Sequence, residues 1–192
     1  VAGLSAGSYS DETETFDLSP YTKGNIIVSS TGQLAWTEGD SGHSGFFTID
    51  TPGTKAVVGF SAGEICELGN VTISPASRFS AIYLSAKEKD KTIANSNSIL
   101  ITAIARARNT DMKVLNDSLV LTQGKKPIRL EPVKAEIAIR KEGSPAVYIL
   151  DHDGRKTDRT IPVTDGTFTI NGAESKTCYY LVSYEKTVEG KE

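Results

Sequence analysis

The chain has 192 residues, enough for one large or two small domains with a real core, and its 38% hydrophobic and 23% charged content is that of an ordinary globular protein. Collagen-like, disulfide-scaffold and fully disordered readings are excluded. Lys and Arg number 21 against 24 Asp and Glu, a net charge of −3, with the basic residues scattered along the chain. No nucleic-acid partner is therefore expected, and no membrane either, since no apolar run approaches the roughly 18 to 20 residues that cross a bilayer.

Val, Ile and Thr make up 48 of the 192 residues. Their stiff, branched side chains favour strands over long helices, so the chain is read as all-β. Residues 1–19, rich in Ser, Thr, Gly and acids, read as a linker or leading arm. Short β-rich runs follow at 25–29, 33–37, 45–50, 55–60, 65–74 and 79–86, each ended by Gly, Pro, Asn or Asp. That spacing predicts an antiparallel β-sandwich over 20–126, of jelly-roll or immunoglobulin-like type. The almost continuous apolar run at 98–107, SILITAIARA, reads as a central strand buried on both faces, with Ile99, Ile101, Ile104 and Ala105 in the core. Arg106 and Arg108, two apart, share a strand face and read as a solvated or salt-bridged rim in preference to a ligand site.

After a strand at 119–122, the segment QGKKPIRLEPVK places a junction near residue 127. Runs at 136–140, 146–150, 160–163, 167–170 and 179–184 predict a smaller β-meander over 127–186 packed against the sandwich, and 187–192 is a charged tail. Asp153-Gly154, Asp165-Gly166 and Asn171-Gly172 are the dipeptides of tight hairpins, whose central residues need positive φ. Chain start at Val1, with one methionine at Met112, fits an excised piece or a processed, secreted or cell-surface chain. Cys66 and Cys178 stand too far apart for a local CxxC motif. They are either paired by the fold or two separate small hydrophobes, the second being favoured.

Three motifs invite chemistry. Gly39-Asp40-Ser41-Gly42 copies the tetrad around a trypsin-like serine. Such a serine needs an imidazole base and an orienting acid placed upstream, yet both histidines, His43 and His152, follow Ser41, so a polar hairpin loop is the better reading. Asp151-His152-Asp153-Gly154 begins like a calcium loop, but Pro162 stands where the twelfth-position glutamate belongs. A turn is favoured there, with a structural calcium held by Asp151 or Asp153 as the weaker alternative and no other cofactor expected. Acid pairs such as Glu38/Asp40, Glu64/Glu67 and Asp151/Asp153 sit in turns, where carboxylates serve geometry and solubility, so none is assigned as catalytic. Trp36 and the tyrosines Tyr179, Tyr180 and Tyr184 are the candidate aromatic platforms for stacking on a sugar ring, each divided between core and surface. Along the last strand Tyr180 and Tyr184 share one face and Tyr179 takes the other.

The runs LAWTEGDSGHSGFFTIDTPGTKAVVGF, SILITAIARARNTDMKV, LEPVKAEIAI and VYILDHDGRKT, in this order over about residues 26–157, resemble the C-terminal β-sandwich region that follows the catalytic (β/α)8 barrel in a group of large bacterial glycoside hydrolases. The matching positions include Leu34, Trp36, Phe47, Asp50, Thr51, Pro52, Gly59, Thr102, Ala103, Arg106, Asn109, Thr110, Met112, Glu131 and Pro132. Gly53, where the pattern has Arg, and Asp111, where it has Gly, depart from it. The resemblance implies a chain that is not an enzyme on its own, the catalytic carboxylates belonging to a barrel in the same parent chain. The expected function is that of an accessory domain binding plant or microbial polysaccharide. The alternatives are a structural buttress or adhesion domain without sugar affinity, and a stand-alone hydrolase or lyase using acidic residues.

Overall fold

A strand with apolar residues at every second position buries one face and wets the other, and Val71–Pro75, Ser80–Ala86, Ser98–Ile104 and Lys134–Ile139 all alternate in this way. The computed structural model describes residues 17–40, 44–115 and 119–184. After a 3-10 turn at Ser19–Tyr21 come β1 (Thr22–Lys23), β2 (Ile26–Val28), β3 (Leu34–Glu38), β4 (Gly45–Asp50), β5 (Thr54–Phe60), β6 (Cys66–Leu68), β7 (Val71–Pro75), β8 (Ser80–Ala86) and β9 (Ser98–Ile104). They are followed by β10 (Ala107–Thr110), β11 (Lys113–Leu115), β12 (Leu119–Thr122), β13 (Lys125–Leu130), β14 (Lys134–Ile139), β15 (Pro145–Leu150), β16 (Lys156–Ile161) and β17 (Thr167–Asn171). A one-turn helix, α1 (Gly172–Ser175), precedes the last strand, β18 (Tyr179–Tyr184).

Among the described residues the strands form a ten-stranded sheet in the order β1-β2-β3-β4-β5-β8-β9-β18-β15-β16, which stays open at both ends, and a four-stranded sheet, β17-β14-β7-β6. Every pairing is antiparallel. The smaller sheet covers the middle of the larger one. Val57, Ile82, Leu84, Ile99, Ile101, Tyr180, Val182 and Val147 on one side meet Val71, Ile73, Ala135, Ile137, Phe168 and Ile170 on the other in one core. The antiparallel β-sandwich expected from the strand spacing is the observed architecture.

The division at residue 127 is corrected. β14 and β17 belong to the small sheet beside β7, while β18 inserts between β9 and β15 in the large one. The segment after residue 126 is therefore half of the sandwich's interior, since neither sheet can close its core without strands from it. The reading of 98–107 as buried on both faces is corrected as well. Ile99, Ile101 and Ala103 point into the core, whereas Ile104 is 40% exposed and Ala105 packs at the edge of the core. The expected strand at 65–74 is a hairpin that turns at Gly69-Asn70, and that at 160–163 lies earlier, as β16. Between β16 and β17, which lie in different sheets, Asp165-Gly166 forms a tight turn in place of a hairpin, both residues having positive φ and Thr164 and Thr167 exchanging two backbone hydrogen bonds. Asn171-Gly172 does not. Asn171 caps α1 instead, its Oδ1 accepting from Ala173 N at 3.1 Å.

Both cysteines are free, Cys66 inside the core and Cys178 half-buried. Lys55 is buried and its ammonium meets the Asp50 carboxylate across the β4–β5 hairpin, so the Asp-Thr-Pro turn carries the counter-charge for a lysine that would otherwise be unpaired. β10 with β13 and β11 with β12 form a two-stranded ribbon that leaves the sandwich, and every described residue of β12 and β13 is exposed. The arm expected at 1–19, through residue 16, the loop residues Ser41 and His43, and the tail at 187–192 lie outside the described residues.

Candidate functional site

In an antiparallel sheet residues directly opposite one another share a face. Trp36 therefore heads a row that runs through Phe47, Val58 and Ala81 to Ile104. The next row runs from Leu34 through Ile49, Ala56, Tyr83 and Thr102 to Tyr179. Both rows occupy the face of the large sheet turned away from the small one. Trp36 and Tyr179, five strand spacings apart, thus look to the same side over about 25 Å. The shared face follows from the register, which no single strand's sequence reveals.

Trp36 is 50% exposed and leans on Phe47 with ring centroids 6.3 Å apart at 50°. A second aromatic pair, Phe60 and Phe79, stands 5.1 Å apart edge to face, with the Arg78 guanidinium 5.9 Å from the Phe60 ring. Trp36, Glu38, Phe47, Phe60 and Phe79 line one cleft of about 630 Å³. Its floor depends on Gly59. There φ is +130°, and a Cβ would stand 2.8 Å from both the Gly45 carbonyl oxygen and the Phe46 Cα, so only glycine lets β4 and β5 approach so closely. Trp36 was legible from the Leu-Ala-Trp alternation. Phe60 and Phe79 were not, because they meet it only through the hairpin registers.

Tyr180 and Tyr184 are corrected as candidate platforms. Tyr180 is fully buried and its hydroxyl hydrogen-bonds the Ser175 hydroxyl at 2.7 Å, while Tyr184 is buried with Lys141 Nζ 4.0 Å from its ring centroid. Burial pushes the phenol pKa of both above the ordinary value. Their strand face is the one that meets the small sheet, so neither ring can reach a ligand. Tyr179 takes the opposite face and is half-buried.

Asp151 is spent on its own turn. Its Oδ1 accepts from the backbone N–H groups of Asp153 at 2.9 Å and Arg155 at 2.8 Å, and the Asp153 carboxylate lies 4.0 Å from the Arg155 guanidinium. Among the described residues no three His, Cys, Asp or Glu side chains gather to hold a metal ion. No family model, curated protein or solved structure matches this chain. The Arg106–Glu131 ion pair closes at 2.8 Å from Nε to Oε2, the salt-bridged arrangement weighed from the sequence. Arg129, which joins that neighbourhood from β13, had no local signal.

Proposed function

We propose that the chain is a non-catalytic accessory domain of a polysaccharide-degrading glycoside hydrolase and that it binds glycan on the outer face of its large sheet. The observation that carries this reading is the half-exposed Trp36 ring, held against Phe47 in an aromatic cleft on the same side as Tyr83 and Tyr179. A neutral sugar presents C–H faces that an exposed indole can stack on and hydroxyls that a carboxylate such as Glu38 can accept, which is the combination this cleft offers. The resemblance to regions that follow a (β/α)8 barrel supplies the enzyme context, with the barrel as covalent neighbour and a secreted or cell-surface setting for work on a polymer.

Affinity electrophoresis on xylan, glucan, mannan and pectin tests the reading. Retardation by at least one polymer, weakened about tenfold in the Trp36→Ala variant, is the expected result, as for other single stacking contacts. Retardation unchanged by that variant would move the site away from the cleft. Indifference to all four would favour the buttress reading, for which the exposed apolar residues Ile104, Ile128 and Leu130 at the root of the ribbon offer an adhesive surface.

A further inference from the structure

The outer face of the large sheet carries aromatic side chains well beyond the cleft at β3–β5. Trp36 and Phe47 lie in one row, and the neighbouring row brings Tyr83 on β8 and Tyr179 on β18 to the same face, with the short side chain of Thr102 on β9 between them. Trp36 is 50% exposed, and Tyr83, Thr102 and Tyr179 are each half-buried, so every one of them keeps part of its surface in solvent. Glu38 stands one row to one side of this path, and the Thr54 and Ser85 hydroxyls, 3.5 Å apart, stand one row to the other. Rings under the path and polar groups along its edges are what a sugar chain lying across the strands would meet. Strands lie about 4.8 Å apart, close to the length that one pyranose unit adds to a chain, so the five spacings from Trp36 to Tyr179 match about five sugars. Adjacent strands also turn by roughly 20 to 25° relative to one another, which comes to about 100 to 125° over that distance. The face therefore winds as it runs from β3 to β18. A flat, rigid stack of chains can touch one end of it at a time, whereas a single chain with free glycosidic torsions can wind with it.

We propose that the ligand is one soluble polysaccharide chain, laid lengthwise across β3, β4, β5, β8, β9 and β18 over about five sugar units, with Trp36 at one end of the contact and Tyr83 and Tyr179 toward the other. This rests on the glycan reading above and adds to it the form of the ligand, a single winding chain in place of a crystalline surface or a short sugar held in the cleft alone.

Calorimetric titration of the whole chain with disaccharides and hexasaccharides of the xylan, glucan, mannan and galacturonan series, alongside a depletion assay on microcrystalline cellulose, tests the proposal. In at least one series the hexasaccharide should bind about tenfold or more tightly than the disaccharide. Tyr179→Ala should weaken the hexasaccharide about tenfold, as for loss of one stacking contact, and leave the disaccharide unchanged, while Trp36→Ala should weaken both. Tyr179→Phe, which keeps the ring, should bind as the parent chain does. Melting temperatures separate lost binding from lost fold, and Tyr83→Ala repeats the comparison should Tyr179→Ala fail to fold. A hexasaccharide bound no more tightly than its disaccharide, or bound equally well by both tyrosine variants, would overturn the lengthwise contact and leave the glycan reading standing. Adsorption to microcrystalline cellulose as strong as binding to any soluble oligosaccharide would overturn the single chain as ligand. No binding of any of these probes would overturn the glycan reading and this inference with it.

Discussion

Two isoleucines three residues apart on β9, Ile101 and Ile104, face opposite sides of the large sheet, and their truncations should differ accordingly. Ile101→Ala opens a cavity in the core and should cost about 2 to 5 kcal/mol, whereas Ile104→Ala, on the open face, should stay within about 1 kcal/mol; urea midpoints of the two variants check this. The apolar run at 98–107 marked the strand but not its sidedness, since Leu100 and Ile104 are as hydrophobic as their core neighbours. The cysteines separate in the same way. Burial, and secondarily the nearby Glu64 carboxylate, pushes the Cys66 thiol up to about 11 from an ordinary 9.0. At pH 8 a thiol reagent should therefore modify Cys178 and spare Cys66. In the unfolded chain the Cys66 thiol ionises near its ordinary value. The stability that its protonated state contributes is thus complete below about pH 9 and is lost as pH rises toward 11. The buried phenols of Tyr180 and Tyr184, also raised, act in the same direction. Denaturation midpoints measured from pH 7 to 11 should fall only above pH 9, and a midpoint flat across that range would contradict the burial of these groups.

Turn chemistry carries the next level. Asp165 and Gly166 both have positive φ, at 49° and 74°, and a Cβ on Gly166 would stand 2.6 Å from the Ile139 carbonyl oxygen. Gly166→Ala thus strains the Thr164–Thr167 turn and pushes on β14 together, and should lower stability by about 1 to 3 kcal/mol in thermal melts, with Gly154→Ala milder because nothing lies within 4 Å of its added Cβ. The Asp165-Gly166 turn, which needs this special backbone, was legible for this reason. The β6–β7 hairpin was less so, because Gly69-Asn70 interrupts a run that reads as one continuous strand. The ribbon was hardest to read, since the Gln-Gly-Lys-Lys-Pro stretch looks like a linker and β13 gains its strand character only from β10 opposite. The neighbourhood of the Arg106–Glu131 pair shares that origin. Arg106 and Arg108 are visible as neighbours in sequence, while Arg129 arrives from 21 residues beyond Arg108 by way of the pairing.

The whole molecule is interleaved, and no cut in the middle of the chain spares either sheet. A chain ended at residue 126 lacks β14 and β17 from the small sheet and β15, β16 and β18 from the large one. It should show no dispersed amide spectrum and no cooperative melt, and a folded, cooperatively melting fragment would refute the interleaving. The Pro-rich junction at residue 127 misleads because a change of composition marks a change of direction as readily as a domain boundary; what the chain does after the turn is decided by which edges are left open, and those edges belong to strands 50 or more residues earlier. The mismatch between ten strands and four has a further consequence. No residue of β1–β4 is fully buried, so this wing of the large sheet is held by its hydrogen-bond ladder and one partly covered ring, Phe46, more than by a shared interior. Its amides should exchange by local fraying, well below the free energy of global unfolding, while those of β8, β9 and β18 should exchange only when the sandwich comes apart. Trp36 therefore sits on a wing that costs little to loosen, and a ligand stacking there would tighten the wing and register as slowed exchange across β2–β4 with the core unchanged.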